Sequence, residues 1–338
     1  MKKNRTSILV TGAAGFIGFH LTKFLIQKGF NVIGVDNLNN YYSSQLKRDR
    51  LKQISSKKFK FFKININNKK KMKKIFEKFY PKYVINLAAQ VGIRNSLKKP
   101  KSYIINNVIG FFNVLELSKN FDVKHLVYAS SSSVYGLNFK YPFSVKGTAD
   151  HPLTVYGMSK RSNELMAHVY SYLYKLPTTG LRFFTVYGPW GRPDMALFKF
   201  VKNILKRKKI DLYNYGNHYR DFTYIQDVVE VVYRTLRKKP KFRPGKKPSS
   251  FESFLPWKIY NISSGRPIHL RNFIKEIEKK LKKKAFINNL PKQKGDIAKT
   301  HGDMKLTISS FKYKPKTHIS KGISHFIKWY KKYYKIVG

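Results

Sequence analysis

Four β-forming residues, Ile8-Leu9-Val10-Thr11, run straight into Gly12-Ala13-Ala14-Gly15-Phe16-Ile17-Gly18. An amphipathic helical pattern follows (Phe16, Ile17, Leu21, Phe24, Leu25) and closes at Gly29. A second apolar run over 31–36 then ends on Asp36. Strand, glycine turn, helix and strand in this order make a βαβ unit, which commits the chain to a parallel sheet. Glycines at this spacing are weak evidence alone; the flanking elements give them meaning. Gly12 permits the tight turn, Gly15 lets a diphosphate approach the backbone, and Gly18 lets the helix pack closely on the strand. The phosphates then sit at the helix N-terminus. Asp36 stands where a carboxylate accepts the adenosine ribose hydroxyls and repels a 2′-phosphate, so the unit is expected to take NAD rather than NADP.

Strand and helix patterns keep alternating. Strands are expected over 59–64, 83–87, 125–130 and 178–183, with helices over 72–79, 102–120 and 155–175. The expected fold is therefore α/β: a Rossmann-type doubly wound parallel sheet with a smaller C-terminal α/β lobe. The boundary is placed at 184. Residues 1–184 form the NAD-binding part and 185–338 mainly the substrate lobe, with pieces near 223–237 and 258–263 able to pack back on the sheet. Helices are expected over 196–206, 226–237, 270–281 and 320–334, and an exposed loop over the Lys-, Pro- and Ser-rich 238–256.

At 338 residues and 42% hydrophobic the chain can bury a substantial core. No apolar run approaches the roughly 20 residues that span a bilayer. Lys2-Lys3-Asn4-Arg5 before an apolar run mimics a signal peptide, but Gly12 and Gly15 interrupt that run, so a cytoplasmic protein is expected. Without cysteine there are no disulfides, thiolate catalysis or cysteine metal sites, and no metal is expected. A net charge of +52 favours polyanions. Yet the lysines fall on nearly every expected helix (69–74, 206–209, 279–284, 331–335) rather than on one stripe. Contact with nucleic acid is therefore expected to be incidental, not specific, and a non-catalytic nucleic-acid-binding relative of the fold is the reading from another class.

Tyr156 and Lys160 lie four residues apart on an expected helix and so share a face. A lysine ammonium near a phenol lowers the tyrosine pKa, which would fit Tyr156 to act as general base on a hydroxyl whose carbon gives hydride to the nicotinamide. The strand ending at Val127-Tyr128-Ala129 opens into Ser130-Ser131-Ser132-Ser133, and strand C-termini at a switch point are where ligands bind.

Nucleotide turn, serine-rich strand end and Tyr-x-x-x-Lys together resemble the extended short-chain dehydrogenase/reductase family, nucleotide-sugar branch. The stretches Asp36 to Tyr42, Leu87 to Arg94, Leu181 to Ala196 and Arg220 to Ile225 are similar to those of the UDP-glucuronate 4-epimerases, and the resemblance runs from about Ser7 to Tyr333. It implies an NAD shell of Gly12, Gly15, Phe16, Ile17, Gly18, Asp36, Asn37, Leu87, Ala88, Ala89, Gln90, Asn106, Tyr156, Lys160 and Phe184. Asn65 and Ile66 are added beside the adenine. It implies Ser131 as the hydroxyl partner of Tyr156 and Ser133 near the sugar, together with a homodimer paired through the helices 102–120 and 155–175. Arg220 suits the UDP diphosphate, since a guanidinium makes charge-assisted contacts to phosphate. Arg192, with Thr185, is expected to hold a sugar carboxylate, with Arg94 as a second candidate; Met195 and Asp296 complete the expected substrate wall. The implied reaction is reversible 4-epimerisation of a UDP-uronate; a neutral-sugar epimerase is the nearest alternative. A 4,6-dehydratase fits less well, because Ser132-Ser133 stand where that chemistry wants an Asp-Glu pair. Departures from the family pattern are Asn65 for an acidic residue, Gln226 before Asp227, Ser263 for glycine and Lys294 for proline.

Overall fold

The computed structural model describes residues 7–336; Lys2 to Arg5, the signal-like start, lie outside the described residues. Six strands, β1 (Ser7–Thr11), β2 (Asn31–Asp36), β3 (Phe59–Lys63), β4 (Tyr83–Asn86), β5 (His125–Ser131) and β6 (Thr178–Phe183), are joined by a seventh, Trp257–Ile262. They form one sheet in the order β3-β2-β1-β4-β5-β6-(Trp257–Ile262), parallel throughout. The order reverses between β1 and β4, so this is the doubly wound sheet expected from the alternation.

The inner strands read as unbroken apolar runs because both their faces are covered. Ile8, Leu9 and Val10 are fully buried. One face carries the helix α1 (Phe16–Gln27) and the helix Ile225–Arg237, with Leu21, Leu25, Val228 and Val232 in a common core. The other carries Lys69–Phe79, Gly110–Asn120 and Val155–Tyr174, with Phe76, Val114 and Ala167 in a second core. The edge strand β3 shows Lys60 and Lys63 to solvent, which blunts an otherwise sticky edge. Thus part of the lysine excess serves a structural end.

A further core gathers Phe198, Phe222, Phe273 and Phe326 in the C-terminal part. There Thr185–Tyr187 pairs with Tyr219–Tyr224, and Ile210–Tyr213 pairs with Ile287–Leu290.

Two expectations need correction. The helix expected over 102–120 is three contiguous segments: Pro100–Tyr103, a π-helical stretch Ile104–Ile109, and Gly110–Asn120. The wider π turn falls where Asn106 and Asn107 do different work, and such insertions cluster at functional sites. Hydrophobic periodicity cannot reveal it, because it shifts the phase by one residue only. The loop over 238–256 is exposed for most of its length, but Phe251 and Leu255 are buried, Phe251 in one core with Trp257 and Ile259 of the outer strand.

Candidate functional site

At the C-terminal ends of β1, β2, β4 and β5 a cavity of about 500 Å³ opens, and every residue named above as a site candidate lies on its wall. At one end is the glycine turn. Gly12 adopts φ +71°, and a Cβ there would stand 2.8 Å from the Ala88 nitrogen. A Cβ on Gly18 would meet the Gly12 carbonyl oxygen at 2.0 Å, so neither position admits a side chain. Helix α1 starts on Gly15 without a side-chain cap. Its first-turn N–H groups therefore face the cavity as an anion site. Asp36, at the end of β2, accepts from the Ala14 and Leu38 N–H groups at 3.2 and 2.8 Å. Burial raises its pKa above the ordinary carboxylate value, while those two N–H groups and Lys47 oppose the shift.

The far wall, Leu87 to Gln90, is pinned in two places. Ala88 N–H donates to Thr11 Oγ1 (3.2 Å), and Asn107 takes Gln90 N–H and returns its Nδ2 to the Gln90 carbonyl (2.7 and 3.0 Å). Asn107 thus comes from the π turn, next to Asn106, which accepts from Asn67 Nδ2 (3.1 Å); Asn65, Ile66 and Asn106 all line the cavity.

At the centre, Thr154 caps the helix Val155–Tyr174 by accepting from Gly157 N–H (3.1 Å), which sets Tyr156 in the first turn beneath β5. The Ser131 side chain lies beside the Tyr156 hydroxyl and favours its ionised form. Ser131 also accepts from Ser133 N–H (3.1 Å) and donates to the Ser133 hydroxyl (3.2 Å). Lys160, one turn on, is buried and donates to the Ala129 carbonyl (2.8 Å). The expected depression of the Tyr156 pKa by Lys160 is not what the structure contains. Burial pushes the phenol up, the Ser131 side chain and the Arg192 charge oppose it, and burial draws Lys160 down to about 8. Desolvation acts on both groups, on buried Lys160 and on half-buried Tyr156, and the ammonium is turned to a backbone carbonyl.

Behind this pair Glu164 receives Arg182 as a fork (2.8 and 2.8 Å) and the Ser130 hydroxyl (2.6 Å), all buried. This ties the helix to β5 and β6 and so holds Tyr156 against the Ser131 end.

Phe184, Thr185, Met195 and Arg192 line the same cavity as Tyr156, and the Arg192 charge acts on the phenol. Arg192 is bound through Nε and Nη2 to Asp194 (3.0 and 2.5 Å), and Tyr41 donates to the same carboxylate (3.2 Å). Burial alone would raise the Asp194 carboxyl, but Arg192 outweighs it and brings the pKa below the ordinary value. Farther out Arg220 donates to Asp296 (2.9 Å) and to the Ala298 carbonyl (3.0 Å), and Arg94 lies over the Tyr213 ring at 4.1 Å. All three expected cations, Arg192, Arg220 and Arg94, are thus partly occupied by the protein itself.

Sequence reasoning missed Asp194, Tyr41, Tyr42, Lys47 and Lys199, which also line the cavity. Asp194 lies two residues beyond Arg192 inside a stretch already singled out, so a search for the counter-ion of a buried arginine could have found it. Lys47 and Lys199 carry no signal in a chain so rich in lysine.

Residues 8–250 match the family described as "NAD dependent epimerase/dehydratase family". The chain belongs to that family. Protein CapI of Staphylococcus aureus is 50% identical to this epimerase/dehydratase, over 97% of this chain and 99% of its own length. A protein of Rhizobium meliloti described as a probable UDP-glucuronate 4-epimerase is 42% identical over 97% of each chain. The crystal structure of UDP-glucuronic acid 4-epimerase from Bacillus cereus, in complex with UDP-glucuronic acid and NAD, superimposes with a TM-score of 0.86 at 30% identity, over 97% of this chain and 100% of that one. For an NAD-dependent epimerase/dehydratase the cavity fits its coenzyme on its own evidence: a turn that no Cβ can enter, an uncapped helix N-terminus for the diphosphate, and Asp36 at the ribose position. Among the described residues no helix is long and apolar enough to cross a membrane.

Proposed function

We propose that this NAD-dependent isomerase interconverts UDP-glucuronate and UDP-galacturonate by inverting sugar carbon 4. The observation that carries the reading is the Arg192 guanidinium, set in the same cavity as Tyr156 and close enough for its charge to act on the phenol. The naming of the Rhizobium meliloti relative and the bound ligands of the Bacillus cereus enzyme support it.

Gly12, Gly15, Phe16, Ile17 and Gly18 hold the coenzyme diphosphate. Asp36 and Asn37 take the ribose, Asn65, Ile66 and Asn106 lie beside the adenine, and Leu87 to Gln90 with Phe184 flank the rest. Bound NAD supplies a hydride acceptor that gives the hydride back, so no net oxidation results. The chain's residues have two tasks. Tyr156 takes the proton from the carbon-4 hydroxyl and returns it, with Ser131 donating to the same oxygen and Lys160 holding the phenol's side of the site. Arg192, Thr185 and Ser133 hold the sugar carboxylate. That second task has a chemical reason: the 4-keto sugar is a β-keto acid, and it loses carbon dioxide when the breaking bond aligns with the carbonyl. Arg220 takes the UDP diphosphate, and Arg94, Met195 and Asp296 form the nucleotide wall.

Asp194 lends weight to a second reading. It offsets the Arg192 charge, and a compensated arginine tolerates a neutral sugar.

In the first reading residues 1–184 carry the coenzyme and 185–338 most of the nucleotide sugar, in the cytoplasm. A second copy covers the apolar face of the segments 102–120 and 155–175, where Ile105, Ile109, Phe112, Leu165, Val169 and Leu173 are exposed. Separate incubation with UDP-glucuronate and UDP-glucose, with product analysis, tests the assignment. UDP-galacturonate from the first at the higher kcat/KM is expected. Equal or faster conversion of UDP-glucose overturns it in favour of the neutral-sugar reading.

A further inference from the structure

Arg50, on the helix Ser44–Lys52, is fully buried, and no carboxylate lies within ion-pair distance of it among the described residues. Its five N–H groups are nonetheless all engaged. Nη1 donates to the Ala14 carbonyl (3.0 Å) and the Tyr42 hydroxyl (2.7 Å). Nε and Nη2 both donate to the Trp190 carbonyl (3.2 and 2.7 Å), and Nη2 also reaches the Gly191 carbonyl (3.3 Å). One planar group therefore ties together the coenzyme turn at Ala14, the segment after Asp36 at Tyr42, and the two residues that precede Arg192.

A buried guanidinium bound only to neutral acceptors is a costly way to join three loops, and an apolar side chain would fill the space without that desolvation. What an apolar side chain cannot do is set three backbone segments at fixed distances through a rigid fork. The Trp190 segment needs such a hold. Trp190 adopts φ +61°, a left-handed conformation that a bulky residue avoids unless its surroundings impose it. Its carbonyl is the one that takes two Arg50 bonds. His20 Nε2 meets the neighbouring Pro189 carbonyl at 2.9 Å, and Phe19, Trp329 and Tyr333 pack around the indole. His20 and Phe19 hold the segment to helix α1, and Arg50 holds it to the turn backbone at Ala14.

We propose that Arg50 is a positioning residue for sugar recognition: it fixes the Trp190-Gly191 backbone to the coenzyme turn and thereby sets where the Arg192 guanidinium stands in the cavity. This rests on the assignment of Arg192 to the substrate carboxylate. It acts through Arg192 and touches no reacting atom.

The test uses the holoenzyme carrying Tyr156→Phe, so that binding is read without turnover. Calorimetric Kd values for UDP-glucuronate and UDP-glucose are compared between that background and its combinations with Arg50→Met, Arg50→Lys and Tyr42→Phe. Arg50→Met is expected to weaken UDP-glucuronate binding about 2- to 30-fold, the span of couplings carried through intermediate residues, and to change UDP-glucose binding less than about 2-fold. Arg50→Lys keeps the charge but not the fork and follows Arg50→Met. Tyr42→Phe removes one of the five bonds, shifts the same ratio less, and serves if the Arg50 variants fold poorly. Equal weakening of both sugars, or of neither, in the variants that fold overturns the proposal. With Tyr156 intact, product analysis decides the parent reading separately: an enzyme that makes no UDP-galacturonate refutes that reading, whereas a sugar-blind effect of Arg50 in an active epimerase refutes this one.

Discussion

The Arg192 guanidinium grips the Asp194 carboxylate with two nitrogens, Nε to Oδ1 at 3.0 Å and Nη2 to Oδ2 at 2.5 Å, on the wall of the cavity that Tyr156 also lines. A cation suited to an incoming carboxylate is already shared with one from the protein. Loss of Arg192 alone strands Asp194 as an uncompensated anion facing the substrate. Arg192→Ala should therefore lower kcat/KM for UDP-glucuronate about 10- to 150-fold, the loss of a charge-assisted contact, and alter UDP-glucose little. Arg192→Ala/Asp194→Ala should recover part of that loss. Product analysis should also find a decarboxylated UDP-pentose from the single variant. A double variant no better than the single one would show that Asp194 does not act on the sugar site.

Tyr156→Phe removes the proton-transfer group and keeps the ring. Turnover should fall about 10²- to 10⁴-fold while NAD co-purifies at the wild-type ratio. Near-normal turnover would take Tyr156 out of the mechanism.

Lys160 gives a pH signature. Burial draws its pKa from 10.5 to about 8, so between those values the unfolded chain holds a proton that the folded one has released. Stability therefore rises with pH across that window, and below pH 8 the full penalty for the buried ammonium is present, at most about 3 kcal/mol. Lys160→Met should melt higher than the wild type at pH 7, and the gap should close between pH 8 and 10. A pH-independent gap in calorimetric melting would place the Lys160 proton elsewhere.

Glu164 and Arg182 are both fully buried and joined as a fork. Glu164→Gln leaves an unpaired guanidinium behind the Ser131 strand end and should cost about 3–5 kcal/mol in urea unfolding. Glu164→Gln/Arg182→Met should regain most of it.

The exposed apolar residues on helix Val155–Tyr174 give an assembly test. Val169→Glu should shift the protein from dimer to monomer in sedimentation velocity; an unchanged sedimentation coefficient would locate the contact elsewhere.

The sequence alone determined what depends on local pattern. Gly12, Gly15 and Gly18 between two apolar runs specify a turn that only glycine can make, and alternation up to 183 specifies the parallel sheet, because each such strand must be covered on both faces. Tyr156 and Lys160 were legible for the same reason: four residues on a helix share a face. Tertiary structure decided everything that depends on partners distant in the chain. Pieces near 258–263 can pack back on the sheet from their pattern, but only the fold sets the strand Trp257–Ile262 beside β6, 74 residues beyond it in the chain. The Tyr156 pKa rises because the site is enclosed, which spacing cannot convey. Arg192 is not a free cation because Asp194 turns back on it. Arg50 reads as one of 69 basic residues, yet three loops meet on it, and only the folded chain brings carbonyls 36 and 140 residues away to a single guanidinium.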